Sequence, residues 1–331
     1  MEHPLWMWIA FLSVILALLA FDLGVLHRKE REIKVAESLK LVAFYFSLAM
    51  LFNLWVFFNI GKQAGYEFLM GYLVEQSLSL DNLFVFVLIF AHFGVPRQYQ
   101  HRVLFWGIIG AIFFRACAIF GGTALIHAFS DILYLFGALL VYTGIKMLAA
   151  ADSEPDVANN RIVQFMHRRF RVTREFRGNR FFVREGGKLW MTPLFTVLIL
   201  VEISDIVFAV DSLPAIFAIT QDPFIILTSN IFAILGLRAM FFALSAFIYR
   251  FEFLKYGLSV ILVMIGCKML VNHHFGEKII ATEISLALTV LILVVSVIVS
   301  LHKTRGQAAP APEHTQGWVP GSPAKSEVKE D

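Results

Sequence analysis

Residues 192–219 read TPLFTVLILVEISDIVFAVDSLPAIFAI. The run is long enough to cross a bilayer core about 30 Å thick, which takes roughly 20 mainly apolar helical residues. Yet it carries Glu202, Asp205 and Asp211 and no Lys or Arg. Each acid costs about 3 kcal/mol at the centre of a spanning helix on insertion scales, so intramembrane acids are functional candidates by default.

Working outward, the whole chain shares the apolar bias. Of 331 residues, 58% are hydrophobic and 16% charged, with 34 Phe. A soluble domain runs nearer 45–50% apolar and about 25% charged. Nine apolar stretches lie near 5–26, 41–60, 68–92, 103–122, 131–150, 192–219, 225–249, 256–272 and 279–301. They predict an all-α polytopic membrane protein of about nine transmembrane helices. The first stretch lacks a basic leader and is followed by Arg28, Lys29, Arg31 and Lys34, so it reads as a span rather than a cleaved signal peptide.

Basic residues set the orientation. With the N-terminus outside, the inner segments hold 22 of the 28 Lys and Arg, and the outer loops hold only Lys62 and Lys278. This positive-inside bias predicts an outer N-terminus and a cytoplasmic C-terminus, in a bacterial inner membrane. A pI near 8.8 is then a topology signal and no sign of nucleic-acid binding. The loop 151–191 is expected to lie at the surface against anionic lipid, with a regulatory or partner-binding segment as the alternative. The tail 302–331 is expected to be disordered. Cys117 and Cys267 form no CxxC pair, which excludes a disulfide scaffold or zinc ribbon. They are expected to serve as packing residues.

A weak internal repeat divides the chain. Asp81-Asn82-Leu83-Phe84 matches Asp205-Ile206-Val207-Phe208, Arg115-Ala116 matches Arg238-Ala239, and Gly144-Ile145-Lys146-Met147-Leu148 matches Gly266-Cys267-Lys268-Met269-Leu270, at offsets of 122–124 residues. After the spans of 5–60, the two units are 68–150 and 192–272, and 279–301 follows as the last span. Each unit has three spans, so with the long loop inside, the two enter the membrane from opposite sides. Inverted repeats place transport sites near the bilayer midplane where the halves meet.

The acids suit that place. Glu75, Asp81, Glu202, Asp205 and Asp211 occupy the two spans that lead the repeats, and Asp22 lies near the inner end of the first span. One alternative is that they pair with Arg115 and Arg238 or sit protonated. Five carboxylates against two arginines leave a formal deficit of about three positive charges, which protons or a bound cation can fill. Glu202 and Asp205 share a helix face at i,i+3, and Glu75, Ser79 and Asn82 form a stripe at i, i+4 and i+7. Ser77 lies beside Asp81 on the neighbouring stripe, and Ser204 lies between Glu202 and Asp205. Asp211 joins the cluster only if its helix opens, and Pro214 supplies the cause, because it cannot donate to the Val210 carbonyl. Asn53, Thr228, Ser229 and Asn230 are either further ligands or interhelical hydrogen-bonding groups. This all-oxygen set suits Mn²⁺, Ca²⁺ or Mg²⁺ rather than a soft metal.

The stretches Glu75-Gln-Ser-Leu-Ser-Leu-Asp81-Asn82 and Glu202-Ile-Ser-Asp205-Ile-Val-Phe-Ala-Val-Asp211-Ser-Leu-Pro214, together with Asn230-Ile-Phe-Ala-Ile-Leu-Gly-Leu-Arg238, resemble the paired acidic signatures of the TerC family of integral membrane proteins, in its Alx branch. The resemblance covers about residues 5–301. It implies a membrane protein associated with manganese efflux, alkaline-pH response or tellurite resistance, with Glu75, Asp81, Glu202, Asp205 and Asp211 at the family's acidic positions. The expectation is a non-enzymatic exporter of a divalent ion, Mn²⁺ before Ca²⁺ or Mg²⁺, working by alternating access without an organic cofactor. Membrane lipid is the other expected partner, and protein partners are left open. The alternative is a non-transporting factor in tellurite, redox or alkaline stress.

Overall fold

The computed structural model describes residues 3–25, 35–129, 131–149, 171–173, 175–244, 254–275 and 281–303. Among these, nine helices answer to the nine apolar stretches: α1 Leu5–Val25, α2 Val35–Asn59, α3 Lys62–His92, α4 Arg97–Ala128, α5 Ile132–Ala149, α6 Pro193–Ile219, α7 Pro223–Leu244, α8 Leu254–Phe275 and α9 Thr282–Lys303. Seven of them are long and apolar enough to span on their own, and α6 makes an eighth span only as a bent pair. The apolar part of α1, Leu5–Ala20, is shorter than the others. The molecule is an all-α polytopic membrane protein.

Local chemistry starts and stops these helices. Thr192 is extended and Pro193 takes the first helical position of α6, where its missing N–H costs nothing. Asp222 caps α7, its Oδ1 accepting from the Phe224 N–H at 2.9 Å and the Ile225 N–H at 3.4 Å. After α3, Gly94 at φ +59° lets the Val95 N–H return to the Phe90 carbonyl and the Gly94 N–H to Ala91. Such a left-handed turn satisfies the last carbonyls and reverses the chain into α4.

The segment before α6 is more ordered than a plain surface loop. Strands β1 Phe182–Glu185 and β2 Lys188–Met191 form an antiparallel hairpin, turned by Gly186 and Gly187 at φ +57° and +74°, as a two-residue reversal with both centres left-handed demands. Phe181 is buried, and the Phe182 ring lies 4.5 Å from that of Phe195 in α6. Residues 151–170 lie outside the described residues, as do 304–331 of the expected disordered tail, while His302 and Lys303 close α9. Cys117 and Cys267 are exposed rather than packed.

The helices α3, α4, α6 and α7 carry two large apolar clusters on either side of a polar layer, with Ile108, Ala111 and Ile234 as a small third cluster. One large cluster takes Phe68 to Val74 of α3, Ile119 and Ile126 of α4, Ala215 to Ile219 of α6 and Phe224 to Ala233, Leu235 and Ala239 of α7. The other takes Leu83 to Phe90 of α3, Val103 and Leu104 of α4, Leu194 to Val201 of α6 and Leu237, Met240 and Phe241 of α7. Hence α3 and α6 cross the layer in opposite directions, and so do α4 and α7. Helix α7 is enclosed along its whole apolar length, which is why it is apolar all round.

Helices α5 and α8 meet through glycine. A methyl on Gly266 would lie 2.8 Å from the Gly137 carbonyl oxygen, and one on Gly144 would lie 2.8 Å from that of Ser259. As the number rises in α5 it falls in α8, so the helices are antiparallel. An offset of 122 turns Gly137 into Ser259 and Gly144 into Gly266, so the two contacts map onto each other at that offset.

Candidate functional site

The polar layer is built around Arg115. This side chain is 2% exposed and comes from the middle of α4. Its Nη1 donates to Glu75 Oε1, to Asn230 Oδ1 at 3.0 Å and to Ser212 Oγ at 3.5 Å. Its Nη2 lies 3.5 Å from Asp205 Oδ1. Glu75, Asp205, Ser212 and Asn230 are all buried. One guanidinium thus joins α3, α4, α6 and α7, which fits its rigid, forked set of donors.

The acids on α6 retain spare capacity. Asp205 Oδ2 and Glu202 Oε2 are buried and have no hydrogen-bond partner among the described residues. They stand one helical turn apart on the same face. Asp205 also lines a cavity of about 10 Å³ with Arg238, Gly107, Ala111, Val201 and Leu237, a space on the scale of one water. Buried carboxylate oxygens are costly unless partnered, and an oxygen has lone pairs to offer a cation. The described site counts Glu75, Glu202 and Asp205 against Arg115 and Arg238, one negative charge in formal excess.

Other expected residues sort by what they touch. Ser79 Oγ lies 3.5 Å from Glu75 Oε1, and Asn82 is buried on the same stripe. Ser77 donates instead to the Leu73 carbonyl of its own helix. Thr228 and Ser229 likewise bond within α7, to Phe224 and Ile226 carbonyls, so of that trio only Asn230 reaches the site. Asn53 is half-buried on α2, and Ser204 is half-buried on α6. Helix α6 bends by 41° between Pro193–Ala209 and Ser212–Ile219. Pro214 bends it without unwinding it, since the helix is continuous through Asp211. The side chains of Asp22, Asp81 and Asp211 lie outside the described residues. Among the described residues no group of three or more His, Cys, Asp or Glu is placed to hold a metal ion.

Two contributors were not picked out from sequence. Ser212 is an Arg115 partner whose only signal was its place between Asp211 and Pro214. Gly110 on α4 faces the Glu202 carboxylate, and one glycine among the several of an apolar helix gives no such hint.

The model of the integral membrane protein TerC family matches residues 60–308, which contain the whole polar layer. The chain belongs to the TerC family. This TerC protein is 45% identical over 294 residues to an "Uncharacterized membrane protein" of Rickettsia bellii, covering 89% of this chain and 96% of the relative. It is 44% identical over 299 residues to "Uncharacterized membrane protein STKORF319" of Myxococcus xanthus, covering 90% and 93%. It is also 44% identical over 306 residues to "Putative membrane-bound redox modulator Alx" of Salmonella typhi, covering 89% and 93%. No solved structure gives a significant match.

Proposed function

We propose that this TerC protein exports a divalent cation, Mn²⁺ foremost, by alternating access across the polar layer. The observation that carries this is the pair of buried carboxylate oxygens, Glu202 Oε2 and Asp205 Oδ2, without partners among the described residues and held between two apolar clusters. Hard oxygen donors of this kind suit Mn²⁺, Mg²⁺ and Ca²⁺. Arg115 holds Glu75 and Asp205 when no ion is present. An arriving dication engages Glu202 and the spare Asp205 oxygen first, then competes with the guanidinium for Glu75, with Asn230 and Ser212 left to hold Arg115. Asp81 and Asp211 complete the acidic set, and Asp22, at the end of α1, is assigned to the approach.

The opposed directions of α3 and α6, of α4 and α7, and of α5 and α8 support two inverted three-helix units. Such units expose one site to each side in turn by rocking against each other. The basic-residue bias supports an outer N-terminus in a bacterial inner membrane.

The test is flux into proteoliposomes with Mn²⁺, Mg²⁺ and Ca²⁺ offered singly. Wild-type protein is expected to move Mn²⁺, and Asp205→Asn and Glu202→Gln are expected to abolish that movement while remaining folded. No flux of any ion by folded wild-type protein would overturn export. That outcome favours a non-transporting role in redox or stress response, the alternative that the name of the Salmonella typhi relative supports.

A further inference from the structure

We infer that Gly110 of α4 is the positioning residue for Glu202, and that its missing side chain is what allows the acid to stand in the polar layer. The inference rests on the cation-export reading of this site. A methyl built on Gly110 would overlap Glu202 Oε1, Oε2 and the carboxyl carbon. The overlap is with the end of a flexible side chain and not with backbone, so the helices need not part to relieve it. The carboxylate moves instead.

The neighbourhood gives this contact its direction. One turn before Gly110, a methyl built on Gly107 would meet Val201 Cγ1 at 3.4 Å, with room to stand, and Gly107, Ala111, Val201 and Asp205 line the same cavity. Small residues on α4 thus let α6 approach closely along Val201, Glu202 and Asp205, as they do between membrane helices generally. At Gly107 the nearest neighbour to such a methyl is the apolar Val201 side chain. At Gly110 it is a carboxylate whose Oε2 has no partner among the described residues. Alanine at Gly110 would leave the apolar packing in place and displace the Glu202 oxygens from the position they hold in the polar layer.

The steric contact and its functional consequence are separable. The set is wild type, Gly110→Ala, Glu202→Asp and the double variant Gly110→Ala with Glu202→Asp, each purified in detergent and reconstituted. Mn²⁺ binding is measured by electron paramagnetic resonance of the free ion, and folding by thermal melting. Gly110→Ala is expected to weaken Mn²⁺ binding about 10- to 100-fold, the range seen for residues that orient a metal ligand, and to lower the melting temperature. The shorter aspartate makes room for the methyl, so the double variant is expected to regain binding and melting temperature relative to Gly110→Ala. An equal loss from Gly110→Ala with and without Glu202→Asp would overturn the inference. Coupled melting without Mn²⁺ binding by the wild type would instead overturn cation export, and the positioning role with it, while leaving the contact established.

Discussion

Arg115 on α4 donates to the Glu75 carboxylate on α3, and each side chain is only 2% exposed. Breaking a buried pair by removing one partner strands the other charge, at a cost of about 3–5 kcal/mol. Arg115→Met is therefore expected to lower the melting temperature in detergent sharply. Adding Glu75→Gln removes the stranded charge and is expected to restore much of the loss. If the double variant melts no higher than Arg115→Met, Glu75 is not the group left stranded.

Asn230 and Thr228 make a matched comparison. Both are buried on α7, but Asn230 Oδ1 accepts from Arg115 at 3.0 Å while the Thr228 hydroxyl returns to its own helix. Asn230→Leu is expected to reduce Mn²⁺ flux and to destabilise by about 1.5–3 kcal/mol, the worth of a hydrogen bond to a charged group. Thr228→Val is expected to keep near wild-type flux. Proteoliposome transport by both variants decides the point.

Pro214 sets stability against function. A proline inside a helix costs about 3 kcal/mol relative to alanine, and here it accompanies a 41° bend. Pro214→Ala is expected to raise the melting temperature and lower the rate of transport, because the straightened helix regains its bond to Val210. A variant that is both more stable and fully active would show that the bend has no part in ion movement.

Gly144 and Gly266 are expected to respond alike. At both, the nearest backbone atom to an added methyl is a carbonyl oxygen of the opposing helix at 2.8 Å, and backbone yields less readily than a side-chain tip. Overpacking of this kind costs about 1–3 kcal/mol. Gly144→Ala and Gly266→Ala should therefore lower the melting temperature by similar amounts. An effect at only one of them would break the equivalence.

Much of this was written in the sequence. Helix positions followed from apolar length, and the pairing of arginine with the acids from the cost of burying either alone. The i,i+3 relation of Glu202 and Asp205 needed only a helix. What stayed hidden depended on neighbours distant in the chain. Thr228, Ser229 and Asn230 are equally polar in sequence, and only the rotation of α7 against Arg115 separates them. The hairpin at 182–191 was overshadowed by the arginines around it, although Gly186-Gly187 is a turn signal. Gly110 gained meaning only when α6 was laid against it.

The seam between α5 and α8 has a wider consequence. Contacts in which residue i meets j while the counterpart of j meets that of i define an isologous interface, the kind found in twofold homodimers. Gly137–Gly266 and Gly144–Ser259 meet with that same reciprocity inside one covalent chain. Within one chain, unlike in a dimer of identical subunits, positions related by such an offset need not carry the same residue: Glu202 stands on α6 where Leu78, 124 residues earlier on α3, carries no charge.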